Sequence, residues 1–152
     1  MQEQLSQERL CQRIIAETND AVMFSDREGI IRLWNGGAER MFGYTETEAL
    51  ARSLDLFIPE NLRQRHWDGY NRVMESGESR YGIELLSAPA LRKDGTRISS
   101  EFSMSLVKDA AGRMLGVAAI VRDVTARWQR EKELKERIRE LEANRQQPAA
   151  SG

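Results

Sequence analysis

The sequence predicts an α+β domain in which helices cover one face of an antiparallel sheet. Three observations predict it. Short apolar runs of strand type occur at both ends of the central region. Helix-type segments with capping signals lie between them, and turn-forming residues separate the pieces. The resulting order is β-β-α-α-α-β-β-β, with no internal repeat.

Residues 1–17 place Leu5, Leu10, Cys11, Ile14 and Ile15 at helical spacing, which predicts a short amphipathic helix with an exposed apolar stripe. "AVMFS" and "GIIRLWN" then read as two strands joined by the turn "DREG", with Asp first and Gly last. "GGAERMFGY" predicts a short helix with Met41 and Phe42 turned inward. "TETEAL" opens another, because Thr45 and Glu48 have the spacing of a capping box. Pro59 suits the first position of a longer third helix, and Gly77 its stop. Three strands are expected at about 80–92, 96–108 and 113–124, parted by the tight turns "KDG" and "DAAG" as in a meander.

A charged segment follows at 125–147, "TARWQREKELKERIRELEANRQQ". The pairs Glu131/Lys135 and Glu133/Arg137 stand four apart and support a solvated helix. Val124, Leu134, Ile138 and Leu141 mark a coiled-coil seam that Arg127 and Glu131 interrupt, which argues against a strong autonomous coiled coil. "QQPAASG" reads as a flexible tail. The expected division is therefore an N-terminal amphipathic helix at 1–17, a core domain at 18–126, and a linker helix with its tail at 127–152.

Composition narrows the function classes. The chain has 152 residues, room for one domain with short appendages. Charged residues at 31% and apolar ones at 40% favour a soluble globular class over disorder. No apolar run approaches the roughly 18 residues of a bilayer span, and "MQEQLSQERL" lacks the layout of a secretory signal. No membrane association is expected, and a cytoplasmic protein is. A net charge of −1 gives no electrostatic reason to expect nucleic acid. The single cysteine forbids an internal disulfide.

"WNGGAERMFGYTETEAL", "RKDGTRISSEFSMSLVKDAAGRMLGVAAIVRDVT" and its closing Asp123-Val124-Thr125 triplet resemble a PAS sensor domain. Each motif alone is loose; the three in order are specific, and the resemblance covers about residues 18–126. It implies a five-stranded antiparallel sheet of order 2-1-5-4-3, a pocket between sheet and helices, and a flanking helix that passes a signal to an output domain. With no length left for a kinase, cyclase or DNA-binding unit, the expected partner is an output domain or a histidine-kinase-type protein, in cis or in trans.

The candidate site centres on "ENLRQRHWDGYNRV", which holds the single histidine, His66. At helical spacing its face carries Leu62, Gly69, Tyr70 and Val73, and the opposite side Asn61, Gln64, Arg65, Asp68 and Glu75. His66 therefore points with the apolar stripe. Gly69 leaves clearance for a flat ring, which would offset the ~1 kcal/mol that a mid-helix glycine costs against alanine. A satisfied core histidine has this same pattern, so spacing leaves both readings open. No catalytic constellation is present, since His66 is the sole candidate base near neutral pH and no nucleophile stands in a triad with it; an enzyme is not expected. One histidine and one remote cysteine cannot build a four-ligand zinc site, and the C-x-x-C-H of c-type haem is missing. The flavin-photoreceptor branch of the family needs a cysteine inside the core, and Cys11 precedes it.

"LRQRHWDGY" is similar to the proximal-ligand helix of haem-binding PAS gas sensors, and the interval from His66 to "RKDG" fits those sensors without a gap. That resemblance implies haem b held by His66, with a diatomic gas or a redox change as the signal. It places Arg72 and Arg80 near the haem propionates, and Ser100, Phe102 and Met104 in the distal apolar wall, Met104 as a candidate sixth ligand through its thioether. Plain core packing is the competing reading for Phe102 and Met104. The sequence departs from the pattern at Leu86, where the oxygen sensors have an arginine, and at Glu84, where one branch has a methionine. Without a distal donor, carbon monoxide, nitric oxide or redox sensing gains weight, or else no haem binds. The rival readings are a cofactor-free dimerisation or interaction module, and a pocket for a small organic ligand or non-covalent flavin. Two weak apolar seams at the chain's ends lead to the expectation of a parallel homodimer.

Overall fold

The computed structural model describes residues 5–147. One five-stranded antiparallel sheet contains β1 (Ala21–Asp26), β2 (Ile31–Trp34), β3 (Leu86–Leu91), β4 (Arg97–Lys108) and β5 (Met114–Asp123) in the spatial order β2-β1-β5-β4-β3. Helices α2 (Gly36–Phe42), α3 (Glu46–Ala49) and α4 (Arg63–Ser76) connect β2 to β3, while α1 (Gln7–Glu17) and α5 (Thr125–Gln146) flank the core. This is the α+β architecture and strand order expected.

Local chemistry explains the elements. In the β1–β2 turn the Gly29 N–H donates to the Asp26 carbonyl at 2.9 Å, and the Asp26 carboxylate accepts from the Glu28 and Ile30 N–H groups. Gly29 stands at φ +76°, a conformation that favours glycine. Asn35 caps α2 by accepting from Ala38 N–H at 2.9 Å, and the same oxygen accepts from Val22 N–H at 2.8 Å. Its amide nitrogen donates to the Ile15 and Asp20 carbonyls, so one buried side chain ties α1, β1 and α2 together. The capping box of Thr45 and Glu48 forms at α3.

Two boundaries differ from expectation. Pro59 caps a 3-10 turn (Glu60–Leu62), and α4 begins only at Arg63; such tighter turns are frequent at helix starts. The strand expected from residue 80 begins at Leu86. Residues before it turn instead, with Gly82 at φ +56° and Glu84 N–H donating to the Tyr81 carbonyl at 2.9 Å.

Strand register sorts the sheet into rows. Leu86, Phe102, Val121 and Ala21 follow one another across four strands, and Met104, Ala119, Met23 and Trp34 form the next row. All of these but Leu86 belong to or pack on a core that includes Trp34, Phe42, Leu54, Ile58, Tyr70, Met74, Ile98 and Met114. At its centre Trp34, Phe42 and Phe57 pack with ring centroids 5.0–6.1 Å apart. Neither α1 nor α5 buries a residue. Leu10 and Ile14 stay exposed, as do Leu134, Ile138 and Leu141. Residues 1–4 of the expected N-terminal segment and 148–152 of the expected tail lie outside the described residues.

Candidate functional site around His66

Helix α4 turns Tyr70 and Met74 fully into the core, with Leu62, His66, Trp67 and Val73 half-buried beside them. His66 is thus on the apolar face, four residues from a buried tyrosine. Its ring lies 4.8 Å from the Trp67 ring, edge-on, and 5.7 Å from that of Tyr70. The imidazole Nδ1 is enclosed without a hydrogen-bond partner. Buried polar atoms are normally paired, so this one is conspicuous. Burial holds the imidazole's pKa below its ordinary value of 6.5, and the Asp55 carboxylate opposes the shift. A neutral ring at neutral pH is the form that ligates metals.

The neighbours of His66 are anchored on the opposite side. Trp67 donates its indole N–H to Asp55 at 2.8 Å. Its six-membered ring fills the space above Gly29, where a Cβ would stand 2.1 Å from it. The Tyr70 hydroxyl lies 2.5 Å from the Asp26 carbonyl and 2.9 Å from Ser25 Oγ, both on β1. Gly69 has the reverse character: a Cβ added there meets nothing within 4 Å. Packing inside the protein therefore gives no reason for glycine at this position.

Of the other candidate residues, Arg72 and Arg80 are exposed, and Glu84 is exposed in the turn before β3. Leu86 opens β3 directly opposite Phe102. Ser100 is buried and donates to the Ala88 carbonyl at 2.6 Å, so its hydroxyl is already satisfied. Phe102 and Met104 are half-buried against the core cluster that also receives Trp67. The structure thus assembles two groups, one on α4 and one on β3 and β4, around one core. Two concavities of about 400 and 290 Å³ lie elsewhere, one beside Asp20, Arg40 and Arg122 and one along α5.

Sequence reasoning missed Ser25, Asp26, Gly29 and Asp55 as neighbours of this helix. The available signals were a tyrosine on an apolar face, which needs a partner for its hydroxyl, and a tryptophan adjoining the histidine. The donor types are ones that haem takes: an unpaired buried imidazole nitrogen on α4 and a thioether on β4. It does not suit a metal held by protein alone, as no group of three His, Cys, Asp or Glu occurs among the described residues.

Comparison with known proteins agrees with the fold. A family model described as the PAS fold matches residues 15–129. The sensor protein FixL of Bradyrhizobium diazoefficiens is 31% identical over 123 residues, covering 80% of this chain and 24% of that protein. The oxygen sensor protein DosP of Escherichia coli is 30% identical over 128 residues, covering 84% of this chain and 14% of that protein. The chain thus spans a quarter or less of these relatives. A crystal structure of a PAS domain from Colwellia psychrerythraea superposes with a TM-score of 0.70 at 21% identity, covering 80% of this chain and 99% of that one. Among the described residues no helix is long and apolar enough to cross a membrane. With sheet order, element sequence and family match in agreement over most of its length, the chain belongs to the PAS family.

Proposed function

We propose that this chain is a non-catalytic sensor module that binds haem b through His66 and reports a diatomic gas or a redox change through α5. The observation that carries the reading is the enclosed, unpartnered Nδ1 of His66 on the apolar face of α4. An imidazole kept neutral by burial is competent to ligate iron. One relative is an oxygen sensor by name, and sensing such a gas needs a group that binds it. Haem supplies that chemistry when bound. The chain's own residues would hold the group through the His66 imidazole, exclude water with Leu86, Phe102 and Met104, and offer Arg72 and Arg80 as exposed cations for propionates. Leu86 offers no hydrogen-bond donor, which favours carbon monoxide, nitric oxide or a redox signal over oxygen. The output is a domain or histidine-kinase-type partner reached through α5; another relative is a sensor histidine kinase by name.

A second reading, a cofactor-free interaction module, is favoured by the close packing of Trp34, Phe42 and Phe57 at the middle of the core. The absorption spectrum separates the two. Purified protein reconstituted with haem shows a Soret band shifted from that of free haem under the first reading, and His66→Ala removes it while the fold persists. An unchanged spectrum and undiminished haem affinity in His66→Ala refute ligation by His66.

A further inference from the structure

We infer that Tyr70 is the relay residue of this domain: its hydroxyl couples α4 to the β1–β2 hairpin, so that an occupant held by His66 is felt in β5 and α5. The inference rests on the haem reading of His66 and adds a route that this reading does not specify.

The His66 ring touches two other rings, Trp67 and Tyr70, and those two touch each other at 5.4 Å. A displacement of His66 loads them first. Both end on the same hairpin, Trp67 against Gly29 by packing and Tyr70 through hydrogen bonds to Asp26 and Ser25. The two attachments differ in kind. Trp67 meets the hairpin by packing alone, its indole N–H being taken by Asp55, whereas the phenol has one proton and three acceptors on β1: the Asp26 carbonyl at 2.5 Å, Ser25 Oγ at 2.9 Å and the Ser25 carbonyl at 3.4 Å. With that proton on the Asp26 carbonyl, which also accepts from the Gly29 N–H, Ser25 is free to donate to Tyr70; with the proton on Ser25 Oγ, the carbonyl keeps the Gly29 N–H alone. These two proton arrangements are the alternatives between which the relay would switch.

The hairpin can use it. The β1–β2 ladder carries a register irregularity between Phe24 and Ser25, at the residue the phenol grips. The β1–β5 ladder is regular from Ala21 opposite Val121 to Asp26 opposite Gly116. A shift at Ser25 therefore yields against β2 and is carried into β5. That strand ends at Asp123, and α5 starts two residues later, with Thr125 held by Asp123 and Ser99.

The test uses the whole chain loaded with haem, with carbon monoxide added to the ferrous form and amide exchange followed by mass spectrometry. In the wild type, exchange in 21–31 and 125–131 changes roughly fivefold or more, the lower end of ordinary coupling between sites. In Tyr70→Phe the carbon monoxide spectrum and the change within 63–76 persist, while the change at 125–131 disappears. Ser25→Ala, which leaves the Asp26 acceptor, diminishes it. An undiminished α5 response in Tyr70→Phe overturns the inference and leaves His66 as ligand. If Tyr70→Phe does not fold, Ser25→Ala decides in the same way. A wild-type chain that takes up no haem overturns both readings.

Discussion

The buried pair of Ser25 and Tyr70 permits a quantitative prediction independent of any ligand. The two residues are 4% and 8% exposed, and Ser25 Oγ has the phenol as its hydrogen-bond partner. Tyr70→Phe strands that hydroxyl in the core, while the Asp26 carbonyl keeps the Gly29 N–H at 2.9 Å. A stranded buried hydroxyl costs about 1–3 kcal/mol. Ser25→Ala removes the serine but leaves the phenol on Asp26, so its cost is nearer ~1 kcal/mol, the net worth of one hydrogen bond. In the double variant no hydroxyl is stranded. Its cost should therefore fall short of the sum of the singles by about 1 kcal/mol, a coupling typical of residues in contact. Urea unfolding followed by circular dichroism reads this directly, provided the slope m is the same in all four proteins. In a thermal melt each kcal/mol appears as about 2–4 °C for a chain of this size. Additivity within about 0.3 kcal/mol would mean that the pair does not hold α4 to β1.

Gly69→Ala should stabilise the haem-free protein by up to ~1 kcal/mol, because the added methyl meets nothing and alanine is the better helix former. It should also weaken haem binding; equal affinity would show that the open side of α4 is not used. Since the folded pKa of His66 lies below its unfolded value of 6.5, the unfolded chain binds the proton first as pH falls. The stability due to neutral His66 is thus complete above about 6.5 and lost below it, and the difference between wild type and His66→Gln in urea midpoints should change with pH there; a constant difference refutes this. The Asp26, Glu48 and Asp94 carboxylates, all held below their ordinary range, act at lower pH and do not confuse that window. Finally, Leu10→Glu with Ile14→Glu should shift a homodimer towards monomer in sedimentation. A wild-type monomer at tens of micromolar, where a dimer of roughly −8 kcal/mol is mostly formed, removes that expectation.

Much of the fold was legible because its determinants are local. "DREG" becomes the β1–β2 turn through Asp26 and Gly29, and the Thr45 and Glu48 pair becomes a capping box. Where sequence misled, a local pattern had two solutions. "YGIELL" has strand-type composition, but Gly82 at positive φ and the Tyr81–Glu84 turn postpone β3 to Leu86, which leaves Glu84 off the sheet. The site divides along the same line. Periodicity assigned His66 and Tyr70 correctly to one face of α4, since that depends only on their separation of four residues. It could not say what the face meets. The partners of Tyr70 lie 44 and 45 residues away, on a strand chosen by the packing of the whole sheet. Tyr70 therefore reads in sequence only as a neighbour of His66 on the candidate ligand face, whereas in the folded chain its hydroxyl is spent on β1. The consequence is physical: the imidazole proposed to hold the sensing group and the phenol that grips the sheet stand one helical turn apart on one rigid element. A ligand held at the first would therefore load the second along α4 itself.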